Sequence, residues 1–365
     1  MPLQAGIVGL PNVGKSTLFN AITSAGAEAA NYPFCTIEPN VGVVEVPDKR
    51  LDVLTKMVGP QKTIPTTFEF VDIAGLVRGA STGEGLGNQF LAHIREVDAI
   101  IQVVRCFEDD DITHVSGKID PLDDIETINL ELIFADIASL EKRIERTAKA
   151  SKGDKKLEPE LAIQRRLLEH LQANKLASQA DLSDDDKKVI KSYQLLTSKP
   201  LLFCCNVAES EAGNAEGNSH VARVREYASQ NGWETVVISA KVESEIATLE
   251  PEEKSMFLEE LGLTESGLDR LIHAAYHLLG LATYLTAGEK EVRAWTFHRG
   301  WKAPQCAGVI HSDFEKLFIR AEVVAYEDLV AAGNMAAAKA AGKLRIEGKD
   351  YEMKDGDICN FRIGG

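Results

Sequence analysis

The stretch Gly9-Leu10-Pro11-Asn12-Val13-Gly14-Lys15-Ser16-Thr17 narrows the possible folds of this chain more than any other segment. It has the spacing G-x-x-x-x-G-K-S, follows an alternating apolar run at 3–10 and opens a helical pattern. Each position has a physical reason. Glycines let the backbone turn its N–H groups onto phosphates, the lysine neutralises the terminal phosphates, the serine hydroxyl ligates magnesium, and the helix N-terminus adds a positive dipole. Asn12, Val13, Gly14, Lys15, Ser16 and Thr17 are therefore the expected phosphate-loop residues, with Lys15 also catalytic. Further apolar strands at 41–46, 67–73, 99–106, 201–206 and 235–239 predict a wound α/β domain.

At 365 residues the chain exceeds one ordinary core, so two or three domains are expected. Its 44% hydrophobic and 26% charged residues fit a soluble globular protein, and apolar runs such as 99–104 are too short to span a membrane. The start, MPLQAGIVGL, lacks a basic segment and apolar core of a secretory signal, which predicts a cytoplasmic location. Cysteines at 35, 106, 204, 205, 306 and 359 show no metal-ligand spacing and read as reduced thiols. Cys204 and Cys205 are expected in the core, and Cys35 is a candidate redox-sensitive thiol.

Between the strands ending near Phe107 and starting near Leu201 lie too many residues for one crossover helix, so an insertion is expected. Apolar residues at helical spacing over 129–149, a polar break at SKGDKK and a second run from Leu161 to Leu171 predict an antiparallel helical hairpin. Ser183 is a predicted helix cap, with Asp184 to Asp186 at the positive end of the dipole. Residues 251–279 read as helix, and the remainder as short strands: VRAWTF, AGVIH, FIRAEVV and DYEMKDGDICNFRI. The net charge of −16 argues against general nucleic-acid binding, yet residues 283–365 carry 12 Lys plus Arg against 12 Asp plus Glu. That segment is electrostatically distinct from the rest.

Four further groups complete the candidate site. Asp72 ends the strand in FEFVDIAGL where a magnesium-site carboxylate is needed, and the N–H of Gly75 can meet a γ-phosphate. Thr36 lies where nucleotide switches supply a hydroxyl to magnesium. Asn206-Val207-Ala208-Glu209 occupies the place of the guanine-selecting Asn-Lys-x-Asp. It lacks the lysine stem that packs on the base, and its carboxylate is one methylene longer, so guanine preference is expected to disappear and ATP to be the substrate. Ser239-Ala240-Lys241 matches the loop whose backbone closes over the base.

Together GLPNVGKST, TIEPN, DIAGL and NVAE closely resemble the YchF subfamily of Obg-related P-loop proteins, the Obg-like ATPases, over nearly the full chain. The resemblance implies an α/β P-loop nucleotide domain at 1–282 with a helical coiled-coil insertion at about 129–195. It further implies a C-terminal TGS domain of ubiquitin-like β-grasp fold at 283–365. It implies ATPase activity with Mg2+ held by Ser16, Thr36 and Asp72, adenine contacts from Asn206, Val207 and Glu209, and the ribosome as partner; the protein is expected to be a monomer. Leu76 stands where Ras-like hydrolases place a water-orienting glutamine, and the resemblance points instead to His114. Asn12 matches an asparagine through which related hydrolases bind potassium.

Three alternatives compete with an ATP switch: a GTPase of the same fold, an ATP-dependent transferase on a small substrate, and a binding protein whose nucleotide is structural. No second chemical constellation supports a transferase. Docking on ribosomal RNA is expected through the helical hairpin and the C-terminal domain, where Lys290, Arg293, Trp295, Arg299, Trp301 and Lys302 interleave cations with aromatics. The competing reading places both tryptophans in a domain core.

Overall fold

A computed structural model describes residues 3–26, 40–73, 86–109 and 118–364. Chain order begins β1 Gln4–Val8, α1 Lys15–Ala25, β2 Val41–Glu45, α2 Lys49–Val58, β3 Lys62–Ile64, β4 Thr67–Asp72, α3 Leu86–Glu96 and β5 Ala99–Arg105. It continues with α4 Pro121–Ser151, α5 Glu158–Gln172, α6 Asp184–Lys191, β6 Leu201–Asn206, α7 Ser219–Gln230, β7 Glu234–Ile238, α8 Ala240–Ile246, α9 Pro251–Glu260 and α10 Gly267–Leu278. It ends with β8 Leu281–Ala287, β9 Glu291–His298, α11 Ala303–Ile310, α12 Ser312–Lys316, β10 Phe318–Ala325, α13 Tyr326–Ala332, α14 Met335–Ala340, β11 Arg345–Glu347 and β12 Asp357–Ile363. Two compact units result: Met1–Val44 with Glu69–Ala275, and Glu45–Phe68 with Tyr276–Gly365.

The first unit is built on a sheet ordered β2-β4-β1-β5-β6-β7, in which β1 runs parallel to β4 and β5, β5 to β6, and β6 to β7. All of β5 and β6 is buried, as expected of parallel strands covered on both faces. This buries Cys204 and Cys205 within β6. The register sets Ile7 beside Asp72, so that carboxylate emerges at the same sheet end as the loop after Val8. Ligands of open α/β sheets bind at this carboxyl end.

The inserted hairpin is α4 against α5. Its first helix starts at Pro121, eight residues before the expected 129, because Asp120 caps it by accepting from the Leu122 N–H at 3.2 Å and proline suits the first turn. Buried Asp136 on α4 accepts from the Leu196 N–H (2.9 Å), the Thr197 N–H (2.8 Å) and the Thr197 hydroxyl (2.7 Å), fixing the chain that leads into β6. Burial pushes the Asp136 carboxyl above its ordinary pKa, and these three donors oppose that shift. Ser183 caps α6 by accepting from the Asp186 N–H, as its sequence position requires. The helix expected over 251–279 is two, α9 and α10, separated where Gly262 adopts φ 70. Buried Glu243 caps α10, accepting from the N–H groups of Gly267 (2.8 Å) and Leu268 (3.1 Å).

The second unit is a sheet ordered β11-β10-β12-β8-β9-β3, with β8 and β9 antiparallel, β12 parallel to β8, β10 antiparallel to β12, and α11 packed on one face. That is the β-grasp arrangement. The segment 45–68 belongs here, which the contiguous division at 282/283 does not anticipate: β3 extends the sheet by pairing with β9, and α2 seals the other face. Leu51 and Leu54 of α2 are buried against Leu285, Val292, Val324 and Ile358, and Arg50 bridges Asp48 (2.8 Å) and Asp355 (3.1 Å). AGVIH, expected as a strand, lies largely in α11. A short apolar run does not distinguish strand from helix, and Pro304 in the first turn opens the helix. Trp295 and Trp301 pack against the core, with Trp295 donating to the Thr286 hydroxyl at 2.9 Å. Arg293 stacks on Trp295 at 3.9 Å and Lys302 pairs with Asp350 at 2.7 Å, so the cation-aromatic series is largely engaged within its own domain.

Candidate nucleotide-binding site

The loop after β1 adopts the shape that its glycine pattern requires. Asn12 (φ 65) and Gly14 (φ 93) take left-handed backbone conformations, and α1 begins directly afterwards at Lys15. A Cβ at Gly14 would collide with the Asn206 amide, so both the dihedral and the space demand glycine there. Lys15 pairs with Asp72, bringing the phosphate cation and the expected metal-site carboxylate to one place. Ser16 and Thr17 are exposed, while the Val13 side chain is buried.

Above this loop lies a cleft of about 1180 Å³, lined by the loop itself, Phe107 to Asp109, Asn206 to Ser210, Ala240, Lys241 and Leu261. Asn206, 4% exposed, joins its two sides: Nδ2 donates to the Val13 carbonyl and Oδ1 accepts from the Ala240 N–H, each at 2.9 Å. The sequence assigns Asn206 to the base, and the structure adds this clamp between the phosphate loop and the start of α8. Val207 is 3% exposed and its N–H donates to the Ile238 carbonyl. Glu209 opens a short 3-10 turn and pairs with Lys241 at 2.6 Å. Ser239 is 2% exposed and sits behind the cleft wall, with Ala240 in front.

Two residues that shape the cleft carry no sequence signal. Buried Arg105, at the end of β5, donates Nε to the Phe107 carbonyl (3.1 Å) and Nη2 to the Asp109 carbonyl (3.2 Å), and its guanidinium lies 4.6 Å from the Phe107 ring centre. This fixes the chain where it enters the cleft. Leu261 arrives from the end of α9 and supplies apolar surface. Neither position belongs to a motif: Arg105 holds carbonyls two and four residues on, and Leu261 is brought in by long-range folding. Thr36, Gly75 and His114, with Cys35, lie outside the described residues.

A family model described as a 50S ribosome-binding GTPase matches residues 4–133, and the YchF-GTPase C-terminal model, described as a protein of unknown function, matches 281–364. The chain is 64% identical over 364 residues to the "Ribosome-binding ATPase YchF" of Bacillus subtilis (strain 168), covering 100% of both chains. The chain belongs to the YchF family. The YchF of Haemophilus influenzae is 57% identical, with 100% of this chain and 99% of that protein covered. Among solved structures, the Schizosaccharomyces pombe YchF GTPase superposes with a TM-score of 0.89 at 39% identity, covering 99% of this chain and 97% of that one. The names of these YchF relatives divide between ATPase and GTPase, which makes the base end of the cleft the decisive region.

Proposed function

We propose that this chain is a magnesium-dependent ATPase that switches conformation with its nucleotide and binds the ribosome. The observation that carries the ATP reading is the base end of the cleft. Asn206-Val207-Ala208-Glu209 forms its wall without a lysine stem, with Asn206 committed to the clamp and Glu209 drawn to Lys241. The GTPase names of the family model and of the fission-yeast structure support a GTP switch as the second reading.

In the ATP reading, phosphate-loop N–H groups and the α1 N-terminus cradle the phosphates while Lys15 meets the terminal groups. Ser16 and Asp72 offer the hard oxygen donors that suit Mg2+, and Thr36 would complete the protein's share of that site. The ion, when bound, neutralises charge on the phosphates. The Gly75 N–H would meet the γ-phosphate and His114 would orient the attacking water. Asn12, on the cleft wall, is the position for potassium.

Ribosome binding follows the printed names of the bacterial relatives and a charge anomaly in this chain. Residues 142–156, at the hairpin tip, carry seven Lys or Arg against two acidic residues in a protein of net charge −16. Six of the seven are exposed: Lys142, Arg146, Lys149, Lys152, Lys155 and Lys156. Such a cluster suits RNA phosphates, with the C-terminal domain as a second contact. Among the described residues no helix is long and apolar enough to cross a membrane. A monomer acting in the cytoplasm, where ribosomes are, fits this reading. Reversing Lys149, Lys152, Lys155 and Lys156 to Glu is expected to lower co-sedimentation with ribosomes about tenfold or more and to flatten its salt dependence. Unchanged co-sedimentation would remove the hairpin tip from the docking surface.

A further inference from the structure

The base end of the cleft holds one contact that the sequence motifs do not account for. Among the described residues its wall carries three carboxylates, Glu108, Asp109 and Glu209, and two ammonium groups, Lys15 and Lys241. Lys15 is engaged with Asp72. Lys241 reaches across from the first turn of α8 to the loop after β6, placing Nζ 2.6 Å from Oε2 of Glu209. Its neighbour Ala240 donates its N–H to Asn206, so the backbone carrying Lys241 is fixed by the same clamp that holds the phosphate loop.

The chemistry of the two bases makes this contact consequential. Guanine presents N1–H and N2–H donors that a free carboxylate accepts, whereas adenine presents an acceptor at N1 and repels one. A carboxylate in the wall therefore favours guanine unless another donor occupies it. Glutamate in place of aspartate lengthens the arm by one methylene, which alone shifts the reach without abolishing the acceptor. A cation bound to that arm does more, because guanine must then displace a charge-assisted hydrogen bond.

We propose that Lys241 is a specificity-determining residue that acts through Glu209: it occupies the carboxylate and holds it to the cleft rim, withholding it from guanine. This rests on the ATP reading above and supplies a cause for it. The Glu209 hydrogen bond raises the Lys241 pKa, so the cation persists across the physiological range. The pair is exposed and adds little to stability, so substitutions at either residue are expected to leave the fold intact. Lys241 is thus a positioning residue whose contribution is read as a ratio of affinities.

The test is calorimetric titration with non-hydrolysable ATP and GTP analogues, in magnesium, of wild type, Lys241→Met, Lys241→Arg, Glu209→Gln and the Lys241→Met/Glu209→Gln double variant. Lys241→Met is expected to narrow the ATP:GTP affinity ratio by about fivefold or more, through tighter GTP binding. Lys241→Arg is expected to keep the wild-type ratio, and in the Glu209→Gln background the lysine substitution should leave the ratio unmoved. An unchanged ratio in Lys241→Met, an equal loss of both nucleotides, or a shift that survives in the Glu209→Gln background would each overturn the proposal while leaving ATP preference intact. Wild type without adenine preference would instead remove both readings together.

Discussion

Lys15→Ala is expected to lower the ATP turnover number by about 100- to 1000-fold, the loss typical of removing one preorganised group that stabilises transition-state charge. Two effects add. The ammonium proposed to meet the terminal phosphates disappears, and Asp72 loses the cation with which it pairs in the nucleotide-free protein. Substrate affinity should therefore fall as well as turnover, and Lys15→Ala/Asp72→Asn, which also removes the proposed magnesium-site carboxylate, should recover neither. Steady-state phosphate release with parallel nucleotide titration checks both. Turnover within threefold of wild type would mean that Lys15 does not reach the transferred group.

Asn206→Ala has a different expected signature. The amide is buried, and its removal leaves the Val13 carbonyl and the Ala240 N–H without their partner. At about 1–3 kcal/mol for each buried group left unsatisfied, a stability loss of several kcal/mol is expected in denaturant melts. Because the clamp joins the phosphate loop to the start of α8, affinity for ATP and GTP should fall together. A residue that only contacted adenine would lose ATP alone. Asn206→Asp should be no better, since it keeps an acceptor for Ala240 but sets a carboxylate oxygen against the Val13 carbonyl. Selective loss of ATP with unchanged stability would assign Asn206 to the base and deny the clamp.

The phosphate loop was legible in the sequence because its ligand dictates each residue type: φ 93 and the lack of space at position 14 admit glycine alone, and Lys15 has a charge to meet. The parallel strands were legible because burial on both faces demands continuous apolar runs. The clamp by Asn206 was not, since a side chain's partners across the fold leave no local pattern. The same limit hides Leu261 and the two buried carboxylates, Asp136 and Glu243, that cap backbone rather than bind metal, while Arg105 holds carbonyls close by in sequence yet belongs to no motif. The segment 45–68 reads locally as the next part of the nucleotide domain. Only pairing of β3 with β9, some 230 residues away in sequence by the Thr66–Thr296 contact, places it in the β-grasp unit. AGVIH shows the converse: its apolar pattern was visible, but its period was too short to choose between strand and helix.

The wall formed by Asn206 to Glu209 is proposed to select adenine. Titration of the magnesium-loaded wild-type protein with non-hydrolysable ATP and GTP analogues tests it directly. Tighter binding of the adenine nucleotide by about tenfold or more is expected. Equal affinities, or preference for guanine, would contradict it and make this YchF-family chain a GTP switch.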